Sequence, residues 1–140
     1  MKLIAHRGNI SGREKNNENQ PDYISNCIQK GYEAEIDIWH QDGFYLGHDE
    51  AQYEVDLDFL LEKHKSIWVH CKNIEALEML SSIKQLNVFW HEKDSYALTS
   101  HGFIWTYPHK KICSKSVIVA SNAKYIKFQS CFGVCSDFLS

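Results

Sequence analysis

Apolar positions along this chain switch repeatedly between a period near 3.6 and a period near 2, and the switching predicts alternating helices and strands. Lys2 to His6 reads as a short strand. Pro21 to Lys30 reads as a helix: Pro21 suits its first turn, Tyr23, Ile24, Cys27 and Ile28 share one face, and Gly31 ends it. Ala34 to Trp39 is a strand, and an Asp42-Gly43 turn leads to a second extended piece, Phe44 to Leu46. Asp56 caps a helix to about His64 that turns Leu57, Leu60 and Leu61 inward. Ile67 to Cys71 is the next strand. Asn73 caps a helix to Leu86 whose apolar stripe is Ile74, Leu77, Leu80 and Ile83, and Val88 to His91 follows as a strand. The last third changes character: Phe103 to Tyr107, Val117 to Ala120, Tyr125 to Phe128 and Val134 to Phe138 all read as extended, with no helix pattern between them. The first two thirds therefore read as βαβαβαβ, the pattern of a parallel sheet. In such sheets the chemistry gathers at the carboxyl ends of the strands.

The chain has 140 residues, the size of one domain, and its 44% hydrophobic content is enough for a packed core. A formal charge of −3 argues against a nucleic-acid partner, which calls for a basic face. No apolar run approaches the roughly 20 residues needed to span a bilayer. The five cysteines, Cys27, Cys71, Cys113, Cys131 and Cys135, are odd in number and scattered, which reads as free thiols and a cytoplasmic protein rather than a disulfide framework.

Four short motifs carry the chemistry. His6-Arg7-Gly8 directly follows a strand: histidine moves protons near neutral pH, arginine offers a planar fork of donors, and glycine lets the backbone turn tightly. Glu35 and Asp37 alternate with Ala34, Ile36 and Ile38, so both acids share one face of a largely apolar strand. Two buried acids on one face are costly unless compensated, and a hard divalent cation is the natural compensation. Gly47-His48 follows the turn that folds the chain back towards Asp37, adding a second proton-transfer group. Glu18-Asn19 precedes the first helix, where Glu18 is placed to be a further oxygen ligand. His91, with Glu92 and Asp94, and Asp137 also follow strands and are candidates to line the same pocket.

The ordered set His6-Arg7-Gly8, Glu18-Asn19, Glu35-Ile36-Asp37, Asp42-Gly43 and His48-Asp49 resembles the glycerophosphodiester phosphodiesterase family, within the phosphatidylinositol-phospholipase-C-like superfamily. The likeness is dense over residues 3 to 49, extends to Lys72, and returns at Trp105-Thr106 and Ser136-Asp137. It implies an α/β fold, a (β/α)8 TIM-type barrel forming a single domain over residues 1–140. It implies hydrolysis of a small phosphodiester with a free neighbouring hydroxyl, by His6 and His48 as the acid/base pair. Glu18, Glu35 and Asp37 become metal ligands for calcium or magnesium. Arg7 and Lys72 become phosphate contacts, with His91 and Trp105 lining the substrate site. His70 stands where the family places an acidic ligand, which brings manganese or zinc into consideration. A barrel of this kind takes about 250 residues. At 140 the expectation is a barrel lacking several outer helices in its last third, with a homo-oligomer covering the bare wall. The alternative is a catalytically degenerate relative that binds a phosphorylated small molecule or a partner protein in the same pocket.

Overall fold

The strands assemble in an order that the chain sequence alone does not follow. A computed structural model of the protein describes residues 1–126 and 130–140. It contains β1 (Lys2–His6), α1 (Pro21–Gln29), β2 (Glu33–His40), β3 (Phe44–Leu46), β4 (Tyr53–Val55), α2 (Leu57–Glu62), β5 (Ile67–Cys71), α3 (Ile74–Ser81), β6 (Val88–Phe89), β7 (Tyr96–Leu98), β8 (Ile104–Thr106), β9 (Ser116–Val119) and β10 (Gly133–Ser136). All ten strands join one sheet. Parallel neighbours run β6-β5-β2-β1-β10-β9-β8. Strand β7 closes one side antiparallel to β8, and β3 and β4 form an antiparallel extension on the far end of β2.

The expected (β/α)8 TIM-type barrel is not what forms. The sheet is a curled, mixed half-barrel, and helix accounts for only 21% of the chain. A ring of eight βα units needs a helix after every strand. Among the described residues three α-helices, of nine, six and eight residues, follow only β1, β4 and β5. From β8 onwards the described residues between the parallel strands include no α-helix, only a short 3-10 turn at Ala123–Tyr125.

Other boundaries moved for local reasons. The helix expected to reach Leu86 stops at Ser81, because the Ser81 and Ser82 hydroxyls donate to the carbonyls of Glu78 and Met79 (3.3 and 3.2 Å) and compete with the helical ladder. Its buried face is Ala76 and Leu80, while Ile74 in the first turn stays 61% exposed. The caps were legible: Asp56 accepts from the Phe59 amide and Asn73 from the Ala76 amide. Strands β4 and β7 are three residues each, too short for an alternation to register. The expected strand Tyr125 to Phe128 starts instead in the 3-10 turn, which Ile126 caps, and residues 127 and 128 lie outside the described residues.

Alternation along the strands sorts the core into two layers. Ala5, Ala34, Ile36, Ile38, Val69 and Cys71 point outward, under the helices, with Ile24, Cys27 and Leu80. Ile4, Trp68, Phe89, Trp105, Val117 and Cys135 point into the concave face and fill it with an aromatic-rich plug. The next inward positions towards the carboxyl ends are His6, Glu35, Asp37, His70 and Asp137, so a polar cluster sits directly above an apolar floor. No helix among the described residues is long and apolar enough to cross a membrane.

Candidate active site

Strand register places the charged residues side by side. His6 on β1 pairs with Glu35 on β2, Asp37 pairs with His70 on β5, and Ala5 pairs with Ser136, which brings Asp137 next to His6. Beyond β1 the chain turns sharply: Arg7 and Gly8 both take positive φ, 55° and 90°. Gly8 is required there, because a Cβ would lie 2.7 Å from the Tyr23 ring. The Arg7 amide donates to the Glu35 carbonyl (3.0 Å) and its carbonyl accepts from the Asn19 amide (3.1 Å), which holds this strained corner in place. His48 is delivered by the β3 extension. Gly47, at φ 155°, has no room for a side chain against the Glu50 carbonyl, and its own carbonyl accepts from the Trp39 indole (2.7 Å).

His6, Arg7, Glu35, Asp37, His48 and His70 line a cavity of about 390 Å³, together with Lys72, His91, Glu92, Trp105, Tyr107, Val119 and Cys135, while Asp137 stands behind His6 and is not part of the lining. Glu35 and Asp37 are 3% and 1% exposed. His70 Nδ1 stands 3.1 Å from Asp37 Oδ1 and 3.7 Å from Glu35 Oε2. His6 Nε2 is 3.9 Å from Glu35 Oε1, and His48 Nδ1 is 3.5 Å from Asp37 Oδ2, so the two histidines flank the two acids. Asn19 grips Asp37 from behind, donating from its amide to Oδ2 (2.9 Å) and accepting from the Asp37 backbone (3.0 Å).

Arg7 is the hinge pin of the cluster. Its Nη1 donates to Glu18 (3.0 Å), its Nε lies 3.2 Å from Asp37 Oδ2, and its Nη2 donates to His48 Nε2 (3.2 Å). Arginine has no acceptor, so His48 Nε2 must accept. The Nε contact has ion-pair distance but not hydrogen-bond alignment. Arg7 Nε, Glu35 Oε1, Asp37 Oδ1 and His48 Nδ1 are all buried with no hydrogen-bond partner among the described residues. Most buried polar atoms are satisfied, so four orphans in one cluster mark a site built to receive something.

Charge coupling runs through the whole set. Burial acts against the Asp37 carboxylate, but contacts from His48 and His70 and the Arg7 charge outweigh it and hold its pKa well below the usual carboxylate range. Burial likewise opposes a charged His70, yet Asp37 and Glu35 push its pKa up to about 9. His6 follows the same logic. Burial lowers its pKa, while the bond from its Nδ1 to Asp137 Oδ1 (2.9 Å) and the Glu35 charge raise it above its ordinary value. Asp137 is moved down by that bond and by the Asn9 amide (2.8 Å), against the effect of its own burial. Cys135 lines the cavity, but burial and the nearby acids push its thiol well up, which leaves it a poor nucleophile.

The His6–Asp137 pair has a signed pH dependence. A raised histidine pKa stabilises the fold fully below the ordinary value of 6.5 and loses that contribution as pH rises through the folded value. A lowered aspartate pKa stabilises above its ordinary 3.8 and is lost as pH falls through the folded value. Asp137→Asn is therefore expected to lose most stability between those two pH values and least at pH 9, measured by urea denaturation across the range. A loss independent of pH would show that the pair is not electrostatically coupled.

Of the residues expected from sequence, His6, Arg7, Glu35, Asp37, His48, His70, Lys72, His91 and Trp105 all reach this cavity. Glu18 does not join the acids. Both its oxygens are taken by Arg7 and Arg13 (3.0 Å each), and Arg7 stands between it and Asp37. His91 is held by its own neighbours, with Nε2 donating to the Asp94 carbonyl (2.6 Å) and Nδ1 beside the Tyr107 hydroxyl (3.2 Å). Trp105 stacks on Phe89 at 4.7 Å and forms the floor. Sequence reasoning gave no role to Asn19, Arg13 or Tyr107. Only Asn19, adjacent to Glu18, carried any signal. No family model, no curated protein and no solved structure matches the chain, so a functional reading rests on the geometry of these residues.

Proposed function

We propose that the protein is a phosphoric diester hydrolase for a small phosphodiester, with His6 and His48 as its acid/base pair. The observation that supports this most is the pair of buried acids with unpartnered oxygens, Glu35 Oε1 and Asp37 Oδ1, flanked on either side by a histidine. Glu35, Asp37 and His70 each offer one ligand atom, all within 4.8 Å of one another, and fit a divalent cation. Such a cation supplies charge neutralisation for the phosphoryl oxygens and lowers the pKa of the attacking hydroxyl.

The chain's own residues do the rest. His6 is oriented by Asp137, so its Nε2 faces the cavity and gives a proton to the leaving alkoxide. His48 takes the proton of the attacking hydroxyl at Nε2. That nitrogen now accepts from Arg7, so the ring must swing off the guanidinium, and its 38% exposed side chain has room to do so. Attack by a neighbouring hydroxyl leaves a cyclic phosphate, which water opens with the two histidines in reversed roles. Lys72 lines the cavity, makes no salt bridge among the described residues, and is the cation available to the phosphate.

The Arg7–His48 contact also favours a second reading, a degenerate site that binds a phosphate ester without turning it over. One assay separates the two. Glycerophosphodiesters are incubated with Ca²⁺, Mg²⁺, Mn²⁺ or Zn²⁺, with and without chelator, for the natural sequence and for Glu35→Ala. Turnover that needs the dication and disappears in Glu35→Ala supports the enzyme. No turnover with tight phosphate-ester binding supports the degenerate site, and turnover indifferent to both chelator and Glu35 rejects this cavity as the place of reaction.

A further inference from the structure

We infer that His70 makes this centre select a first-row transition dication over Mg²⁺ and Ca²⁺, an inference that rests on the cation role proposed above for Glu35 and Asp37. The donor set is two carboxylates and one imidazole, and three features fix the imidazole as a ligand. First, His70 Nε2 lies 3.4 Å from the His91 carbonyl oxygen. A carbonyl only accepts, so Nε2 carries a hydrogen, and a cation that displaces the proton on Nδ1 finds the ring's lone pair there, already aimed between the two acids. Second, that nitrogen faces Asp37 Oδ1 and Glu35 Oε2, at 3.1 and 3.7 Å. Third, the ring lies flat against Phe89, at 5.0 Å and 9° between planes, and Phe89 is itself stacked on Trp105. The imidazole is thus clamped with its donor aimed at the two acids.

The acids add the independent sign of a ligand. Glu35 Oε1 and Asp37 Oδ1 are buried without hydrogen-bond partners among the described residues, on side chains only 4% and 1% exposed. Mg²⁺ and Ca²⁺ take oxygen donors, and Mg²⁺ keeps most of its water in near-octahedral sites. Imidazole nitrogen suits Fe²⁺, Co²⁺, Ni²⁺, Cu²⁺ and Zn²⁺, and affinity for a mixed nitrogen–oxygen site generally rises from Mn²⁺ through Fe²⁺, Co²⁺ and Ni²⁺ to Cu²⁺, with Zn²⁺ below Cu²⁺. Three protein donors on one side and an open cavity on the other leave positions for substrate oxygens, the arrangement of a catalytic rather than a structural site.

The test is direct binding, read without turnover. Metal-free full-length protein is titrated with Co²⁺, followed by its visible absorption bands, and competed with Zn²⁺, Mg²⁺ and Ca²⁺. The same titrations are run on His70→Asp, which restores an all-oxygen set and leaves the other histidines in place, with circular dichroism to establish that it is folded. The expected result is one Co²⁺ per chain, displaced by Zn²⁺, with Mg²⁺ and Ca²⁺ weaker by about tenfold or more. His70→Asp should narrow or reverse that ratio. Equal affinity for Mg²⁺ and Co²⁺ in the natural sequence overturns the inference, as does a Co²⁺ site indifferent to His70→Asp. Co²⁺ bound through His70 without phosphodiester turnover supports this inference and sinks the catalytic reading. Turnover with Mg²⁺ at a site that does not prefer Co²⁺ does the opposite.

Discussion

His6→Ala is expected to lower phosphodiester turnover by about 10²- to 10⁴-fold, the usual worth of a positioned proton-transfer group, while leaving substrate binding nearly unchanged. The expectation follows from where the ring sits. One nitrogen is held by Asp137 at 2.9 Å, and the other faces Glu35 across 3.9 Å of cavity, so its removal deletes a proton donor and no anchoring contact to the substrate's far end. Asp137 keeps its bond from Asn9 in the variant, which limits the structural damage. Steady-state kinetics on a glycerophosphodiester decides the matter. A fall in kcat with KM preserved fits a general acid. A rise in KM at constant kcat would make His6 a binding residue and leave the acid unassigned. His48→Ala, compared under the same conditions, should cost a similar factor, and the double variant should cost little more than either single one, because the two histidines act as a unit.

What the sequence disclosed about this site, and what it did not, divides by range. The placement of Glu35 and Asp37 on one face needed only the two-residue period of a strand, and they are indeed on the concave side. His48 needed only a turn signal at Asp42-Gly43 to bring it back. The partner of His6 lies 131 residues away, directly after the last strand, and no local pattern pairs them. The shape of the sheet was equally out of reach. A run of βα units looks the same whether the sheet closes or curls, and the outcome turns on pieces such as β7. Its three residues run antiparallel to β8 and leave the curl as a half-barrel rather than a ring. Motifs of the first fifty residues therefore located the cluster, while the architecture around it was decided by short strands that periodicity does not detect.

Arg7 carries the second large effect, and it concerns stability. As a phosphate contact it would be dispensable to the fold. In the structure its side chain is 11% exposed and is wedged between Glu18 and Asp37, which are 6% and 1% exposed. Removing one member of a buried ion pair strands the other, so Arg7→Ala is expected to destabilise the protein by about 3–5 kcal/mol. Against a total of about 5–15 kcal/mol for a domain of this size, that is a large share. His48 and His70 continue to face Asp37, and Arg13 alone remains on Glu18, so most of the penalty falls on the Glu18 side. The sign with pH follows. Without the guanidinium the stranded carboxylates are easier to protonate, so the deficit relative to the natural sequence should be largest near pH 7 and shrink towards pH 4. Urea denaturation at both pH values checks this. A deficit of equal size at the two would mean that Arg7 contributes packing rather than charge. A variant as stable as the natural sequence at pH 7 would free the guanidinium for the phosphate, and would make Lys72 no more than its companion.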